Sequence, residues 1–270
     1  MAADVTLIGV GVMGEAVLTS LLSVTGAERV RISDGRPDHG RERAEAHGVR
    51  WVERNAEAVA GAGVVVLAVK PKDVAGVLAE IGPALGPDAL VVSIAAGIPT
   101  GFIESRLDGP VPVVRVMPNT PATIGQGVSV LSAGQHASEE HLDLVAELLA
   151  GTGTVLRVPE SEQDAVTAIS GSGPAYVFYL IDALAEAGVL GGLSRATALE
   201  LATQTVAGAG AVAAASDEHP VVLREKVSSP AGTTVAGVRA LDEHGVRAGV
   251  VAAVEAARAR SVELGRSLDT

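Results

Sequence analysis

The chain contains no cysteine, which excludes a disulfide framework, a thiol nucleophile and a thiolate metal site together. Aromatic residues are only 2% of it, so the 48% of apolar residues are mostly Ala, Val, Leu and Ile, and a core built from them brings backbones close together. Positive charge is scarce: 20 Lys and Arg stand against 32 Asp and Glu, a formal net charge of −12. That balance lacks the basic footprint of nucleic-acid binding, and no nucleic-acid partner is expected. Long apolar runs are also missing. The longest, at residues 64–69 and 90–98, are strand-length and fall short of the roughly 18 residues a membrane span needs, so no membrane partner is expected. The start, Met1-Ala2-Ala3-Asp4, has no basic segment and leads straight into a strand. A cleavable leader is therefore not expected, and the cytoplasm is the expected compartment. Six histidines are present without metal-ligand spacing, since His136 and His141 are five apart and the others isolated; no metal is predicted.

What is present is enough chain, 270 residues, for two domains. Apolar, β-branched runs at residues 5–8, 30–33, 64–69, 90–94, 113–117 and 154–158 read as strands. Residues 15–24 and 41–47 read as helices between them. Alternating strands and helices predict a doubly wound, mainly parallel sheet, the Rossmann arrangement, over residues 1–158. Beyond Pro159 the texture changes to long Ala-rich segments at 161–187, 194–215 and 246–264, with turn signals at 188–194 and 218–220. Residues 159–270 are predicted to be an all-helical domain. Helices this bare of large side chains bury little area alone, so dimerisation through this domain is expected.

Gly9-Val10-Gly11-Val12-Met13-Gly14 matches G-x-G-x-x-G. The spacing allows a tight turn, backbone approach to a pyrophosphate, and close helix–strand contact. In a chain with 32 glycines the pattern alone is weak, but it falls after a predicted strand, opens a helix, and is followed by a second strand. Dinucleotide binding follows, with the phosphates at the helix start. The ribose end is ambiguous. Asp34, 20 residues after Gly14, is placed to accept from the 2′-hydroxyl of NAD, whereas Arg36 is placed to pair with the 2′-phosphate of NADP. Each also fits an ordinary turn or a solvated charge. Lys70, before Pro71, ends a strand at the sheet edge where ligands bind, and Ala95-Ala96-Gly97 occupies the matching edge after the next strand. Small residues there would let a flat ring lie against the backbone, although close packing explains them equally.

Three further segments stand out: Met117-Pro118-Asn119-Thr120-Pro121-Ala122, Ser170-Gly171-Ser172-Gly173-Pro174-Ala175-Tyr176, and Val227-Ser228-Ser229-Pro230-Ala231-Gly232-Thr233-Thr234. The last describes a loop leading into a helix, whose free N–H groups would favour a carboxylate or would serve only as an ordinary helix start. Ser172 is not a hydrolase elbow, because positions 170 and 174 hold Ser and Pro instead of Gly. Glu160, Glu162 and Asp164 read first as acids complementing a helix dipole.

Together these segments, in their order and spacing, resemble the pyrroline-5-carboxylate reductase family from Val5 to about Leu264. The resemblance implies reduction of 1-pyrroline-5-carboxylate to L-proline, with an active site shared between the subunits of a homodimer; rings of dimers also occur in the family. It implies cofactor contacts at Ile8, Gly9, Val10, Gly11, Val12, Met13, Arg36, Asn55, Ala68, Val69, Lys70, Ala95, Ala96 and Gly97. Substrate contacts would come from Glu160, Ser229, Gly232, Thr233 and Thr234, with Thr234 as catalytic hydrogen-bond partner of the imine. The implied cofactor is NADPH, with NADH left open because Asp34 would repel a 2′-phosphate. A reductase of another cyclic imine or of a β-hydroxy acid would share the fold, and a non-catalytic NADP(H)-binding protein would leave the 228–234 loop without a use.

Overall fold

The computed structural model describes residues 4–266. Residues 1–3, on which the leader reading rests, and 267–270 at the end of the predicted second domain lie outside the described residues. The chain divides into two compact units, residues 1–171 with 257–270, and residues 172–256.

The first unit is built on a sheet of eight strands among the described residues, in the order β3-β2-β1-β4-β5-β6-β7-β8. The strands are β1 (Val5–Ile8), β2 (Val30–Ser33), β3 (Arg50–Trp51), β4 (Val64–Leu67), β5 (Leu90–Ser93), β6 (Val113–Met117), β7 (Gly127–Ala133) and β8 (Gly153–Arg157). Strands β1 to β6 run parallel, β7 is antiparallel to β6, and β8 is parallel to β7. Helices α1 (Val12–Thr25), α2 (Pro37–His47), α3 (Asn55–Val59), α4 (Val74–Ile81), α5 (Thr100–Glu104) and α6 (Glu139–Leu149) connect them. All four residues of β1, β4 and β5 are buried, as strands covered on both faces require. Two apolar clusters form the core. One holds Leu7, Leu18, Leu21, Ile32, Val66 and Leu131, and the other Ile8, Leu67, Leu78, Ile81, Ile98 and Ile103.

The sequence reading is corrected at several points. Helix α1 starts at Val12, not Glu15, so Gly14 lies inside it. Helix α2 starts at Pro37, not residue 41, because proline suits a first helical position. Strand β7 was not expected. The predicted helix over 161–187 is broken into α7 (Gln163–Val166), a π-helical turn (Thr167–Gly171) and α8 (Gly173–Leu190). The packing boundary falls at 171/172. Gln163 is fully buried, and its amide donates to the Val130 carbonyl (3.1 Å) and the Ser132 hydroxyl (2.8 Å) of β7, which ties this stretch to the sheet. The end of the chain returns to the first unit, where Ser261 donates to Asp164 at 2.6 Å.

The second unit is helical: α8, α9 (Arg195–Ala214), α10 (Pro220–Lys226), α11 (Thr233–Glu243) and most of α12 (Val246–Arg266). Helices α8 and α9 pack through alanines, and a Cβ on Gly188 would lie 2.9 Å from that of Ala198. Among its described residues only Ala185, Ala198 and Ala202 are buried. Three buried methyls are worth about 2–3 kcal/mol, far too little to order five helices. Meanwhile Phe178, Tyr179, Leu190, Leu201, Val212 and Val250 remain exposed. One helical stretch, Glu160–Leu190, is long and apolar enough to cross a membrane by length and composition. No apolar run of that length stands out in the sequence, because Glu160, Glu162, Asp164 and Asp182 interrupt it.

Helices α1 and α2 are linked by charge. Glu15 meets Arg43 at 3.0 Å and His47 at 3.2 Å. The His47 hydrogen bond, opposed by burial and reinforced by the Arg43 bond and the two charges, holds the Glu15 carboxyl below its ordinary 4.5. A depressed carboxylate contributes stability that is present above its unfolded value and lost as pH falls through the folded one. The melting temperature should therefore fall as pH drops below about 4.5, and Glu15→Gln should make that fall shallower; an unchanged slope would show that the pair contributes nothing.

Candidate active site

Four parallel strands end in register. Ile8 lies opposite Ser33 and Leu67, and Leu67 opposite Ser93. The segments that follow them, residues 9–13, 34–36, 68–70 and 95–97, are therefore delivered to one edge of the sheet. The strand order reverses there between β1 and β4, where open α/β sheets bind their ligands.

The three motif glycines differ in what requires them. Gly9 has φ +94, and its N–H donates to the Ser33 carbonyl at 2.7 Å. A Cβ on Gly14 would lie 2.2 Å from the Gly9 carbonyl oxygen, so α1 reaches the loop only because residue 14 has no side chain. Gly11 has φ −69, open to any residue, and a Cβ there would meet nothing within 4 Å. Beyond the modest preference for glycine at a helix N-cap, packing gives Gly11 no reason to be glycine. A ligand lying on the backbone would supply one. No side chain caps α1, and Val12 in its first turn is 71% exposed, so the amides opening the helix suit a pyrophosphate. The loop thus fits a dinucleotide.

At the ribose end, Asp34 is buried while Arg36 is exposed. One Asp34 oxygen accepts from the Val10 N–H at 2.9 Å, and the other from the Arg36 N–H at 2.9 Å and its Nε at 3.1 Å. Burial pushes this carboxyl up, but the Arg36 hydrogen bond, the Val10 and Arg36 amides and the Arg36 charge outweigh it, and the net direction is down. Asn55 is braced as well: its Oδ1 accepts from the Ser33 hydroxyl at 2.8 Å and its Nδ2 donates to Glu80 at 2.7 Å. Lys70 is exposed at the strand edge, Ala95 buried, and Gly97 turns the chain with φ +76.

Glu160 stands apart from those segments. Its carboxylate accepts from the Thr100 N–H at 2.8 Å, the Thr100 hydroxyl at 2.5 Å and Arg115 at 3.2 Å. Pro99 cannot cap α5 with its side chain, and Glu160 does so from 60 residues away. The carboxylate thus ties the start of α5 to Arg115 of β6. Arg115 and Thr100 escaped the sequence reading, although a charge inside the run Val113-Val114-Arg115-Val116 is a sign that it has a partner. His39, whose ring nitrogen donates to the Val10 carbonyl at 3.0 Å, carried no such sign.

In the second unit, Ser229, Gly232, Thr233 and Thr234 share one loop and helix start. The Gly232 N–H donates to the Ser229 carbonyl at 2.9 Å, and α11 opens at Thr233 with no side-chain cap. Thr234 is half-buried, Ser229 and Thr233 exposed. Ala231, φ +59, is the one non-glycine residue with positive φ among the described residues. Such residues gather at functional sites, where the surrounding structure holds the strain. No group of His, Asp and Glu among the described residues is arranged to hold a metal ion.

The family model for pyrroline-5-carboxylate reductase dimerisation matches residues 160–264, and one described as NADP oxidoreductase, coenzyme F420-dependent, matches residues 4–97. The chain is 42% identical to a pyrroline-5-carboxylate reductase of Corynebacterium melassecola, covering 97% of this chain and 98% of that one. It is 43% identical to one of Pseudomonas aeruginosa, covering 98% and 97%. Among solved structures, a pyrroline-5-carboxylate reductase of Coxiella burnetii superposes with a TM-score of 0.93 at 33% identity, covering 98% and 99%. A Plasmodium falciparum pyrroline carboxylate reductase with NADP bound gives 0.85 at 29%, covering 97% and 98%.

The contrast between the glycines is measurable. Gly14→Ala should cost about 1–3 kcal/mol of stability through overpacking. Gly11→Ala should cost less than about 1 kcal/mol, the loss of a favourable helix cap, yet weaken dinucleotide binding about tenfold or more. Equal losses of stability in thermal unfolding would contradict the assignment.

Proposed function

The chain belongs to the pyrroline-5-carboxylate reductase family, and from that premise we propose how its residues share the work. The protein is an oxidoreductase that reduces 1-pyrroline-5-carboxylate to L-proline, the last step of proline biosynthesis, with NADPH as cofactor. It self-associates through its helical unit. The observation that carries the residue assignment is the open space in front of Gly11, at the one sheet edge where every expected cofactor segment is delivered.

The cofactor, when bound, supplies a hydride to the imine carbon, and the ring nitrogen ends with a proton. The protein's part is to hold both reactants. Amides of residues 11–13 take the pyrophosphate, Arg36 the 2′-phosphate, and residues 68–70 and 95–97 line the path of the nicotinamide half. Asn55 keeps the Ser33 end of β2 in place for the ribose. Ser229, Gly232, Thr233 and Thr234 hold the substrate, its carboxylate on the uncapped N–H groups at the start of α11. Thr234 hydrogen-bonds the imine nitrogen. A threonine hydroxyl is a poor acid, so its contribution is orientation of an imine protonated from solvent, and most of the rate comes from positioning. Glu160 assists by fixing Thr100 and with it the 95–97 turn.

We divide the labour as cofactor binding by residues 1–158 and substrate binding and dimerisation by 159–270, with rings of dimers as the larger assembly and the cytoplasm as the compartment. The exposed apolar residues of α8 and α9 support self-association as the fate of the 160–190 stretch, in place of a lipid-facing one.

Purified protein given 1-pyrroline-5-carboxylate should oxidise NADPH and form proline; no oxidation of either NADPH or NADH would end the assignment. Thr234→Ala should lower kcat about 10–100-fold, the range for losing an orienting hydrogen bond, while NADP+ affinity stays within about twofold. Parallel loss of both would remove the role given to the hydroxyl.

A further inference from the structure

Val10 lies in the middle of the glycine loop, and both polar groups of its backbone are held by the segment that follows β2. Its N–H donates to Asp34 Oδ2 at 2.9 Å, and its carbonyl accepts from His39 Nε2 at 3.0 Å. Residues 35–38, between them, all face solvent, and the Arg36 side chain is 63% exposed against 5% for Asp34. The second Asp34 oxygen accepts the Arg36 N–H (2.9 Å) and Nε (3.1 Å), and Arg36 Nη2 reaches Oδ2 at 3.4 Å. A carboxylate offers about four acceptor sites, and four donors of this chain already occupy those of Asp34.

We propose that Asp34 and His39 are positioning residues that clamp Val10 from both sides and fix Arg36, so that the pyrophosphate loop and the reader of the 2′-phosphate form one unit. This rests on the cofactor reading above. Asp34 is then not the acid that accepts from a ribose 2′-hydroxyl. Its lone pairs are committed, it faces the loop, and its charge is matched by Arg36. Discrimination between NADPH and NADH passes through Arg36 alone, while the clamp serves both cofactors equally.

The two roles for Asp34 predict opposite patterns. In Asp34→Asn, one amide oxygen can satisfy Val10 or Arg36, but the new NH2 group faces a donor. The loop loosens, and NADP+ and NAD+ should weaken by a similar factor. A ribose-binding acid would instead give weaker NAD+ and tighter NADP+. His39→Ala removes the other half of the clamp and should also weaken both, by about 3–10-fold, the worth of one hydrogen bond. His39→Gln restores an N–H donor for the Val10 carbonyl and should recover most of the loss for both. Arg36→Ala should weaken NADP+ by about tenfold or more through the lost charge-assisted pair, leaving NAD+ within about twofold.

Calorimetric titration of NADP+ and NAD+ into each full-length variant, with thermal unfolding as a check on folding, reads all of these. Should Asp34→Asn not fold, the His39→Ala and His39→Gln pair decides. Parallel weakening rescued by glutamine supports the clamp; no change, or a change for one cofactor only, overturns it. The reductase reading fails separately, if the unaltered protein binds NADP+ but forms no proline.

Discussion

The active-site edge depends on one close approach. Helix α1 sits so near the end of β1 that a single methyl on Gly14 would drive into the Gly9 carbonyl. Gly9 is itself pressed against the Ala68 backbone, where a Cβ would come within 2.8 Å of the carbonyl oxygen. Three elements, β1, α1 and the end of β4, therefore share a contact that tolerates no side chain. Their relative positions are fixed as a result, and α1 opens without a side-chain cap beside Gly11, where a Cβ would meet nothing within 4 Å. Packing and binding are the same device here, divided between different glycines.

A second constraint shapes the helical unit. With alanines for its buried residues and large apolar side chains left outside, residues 172–256 lack the means to order five helices alone. The missing burial has to come from association, in accord with the dimerisation model that matches residues 160–264.

Much of this was legible in the sequence, and the parts that were not have physical reasons. The strand, glycine loop and helix at residues 5–25 could be read because local pattern and tertiary role coincide. Strand β7 could not, since Ser129 and Ser132 sit among its buried positions and mask the apolar pattern. These serines are satisfied by Thr152, Val158 and Gln163, all distant in sequence. The 171/172 boundary was hidden for the same reason, because Gln163 and Glu160 look like surface residues until β7, Thr100 and Arg115 meet them. Asp34 shows the limit most clearly. Its position after β2 fits an NAD-binding acid, and only the Val10 and Arg36 donors show that its oxygens are already engaged.

The central claim is that the protein transfers a hydride from NADPH to the imine carbon of 1-pyrroline-5-carboxylate. Its most direct test is the fate of that hydride. With NADPH carrying deuterium at both C4 positions of the nicotinamide and 1-pyrroline-5-carboxylate as substrate, the account predicts L-proline with a single deuterium at C5 by mass spectrometry and NMR. Unlabelled proline, label elsewhere in the ring, or no proline from a protein that binds NADPH would contradict it.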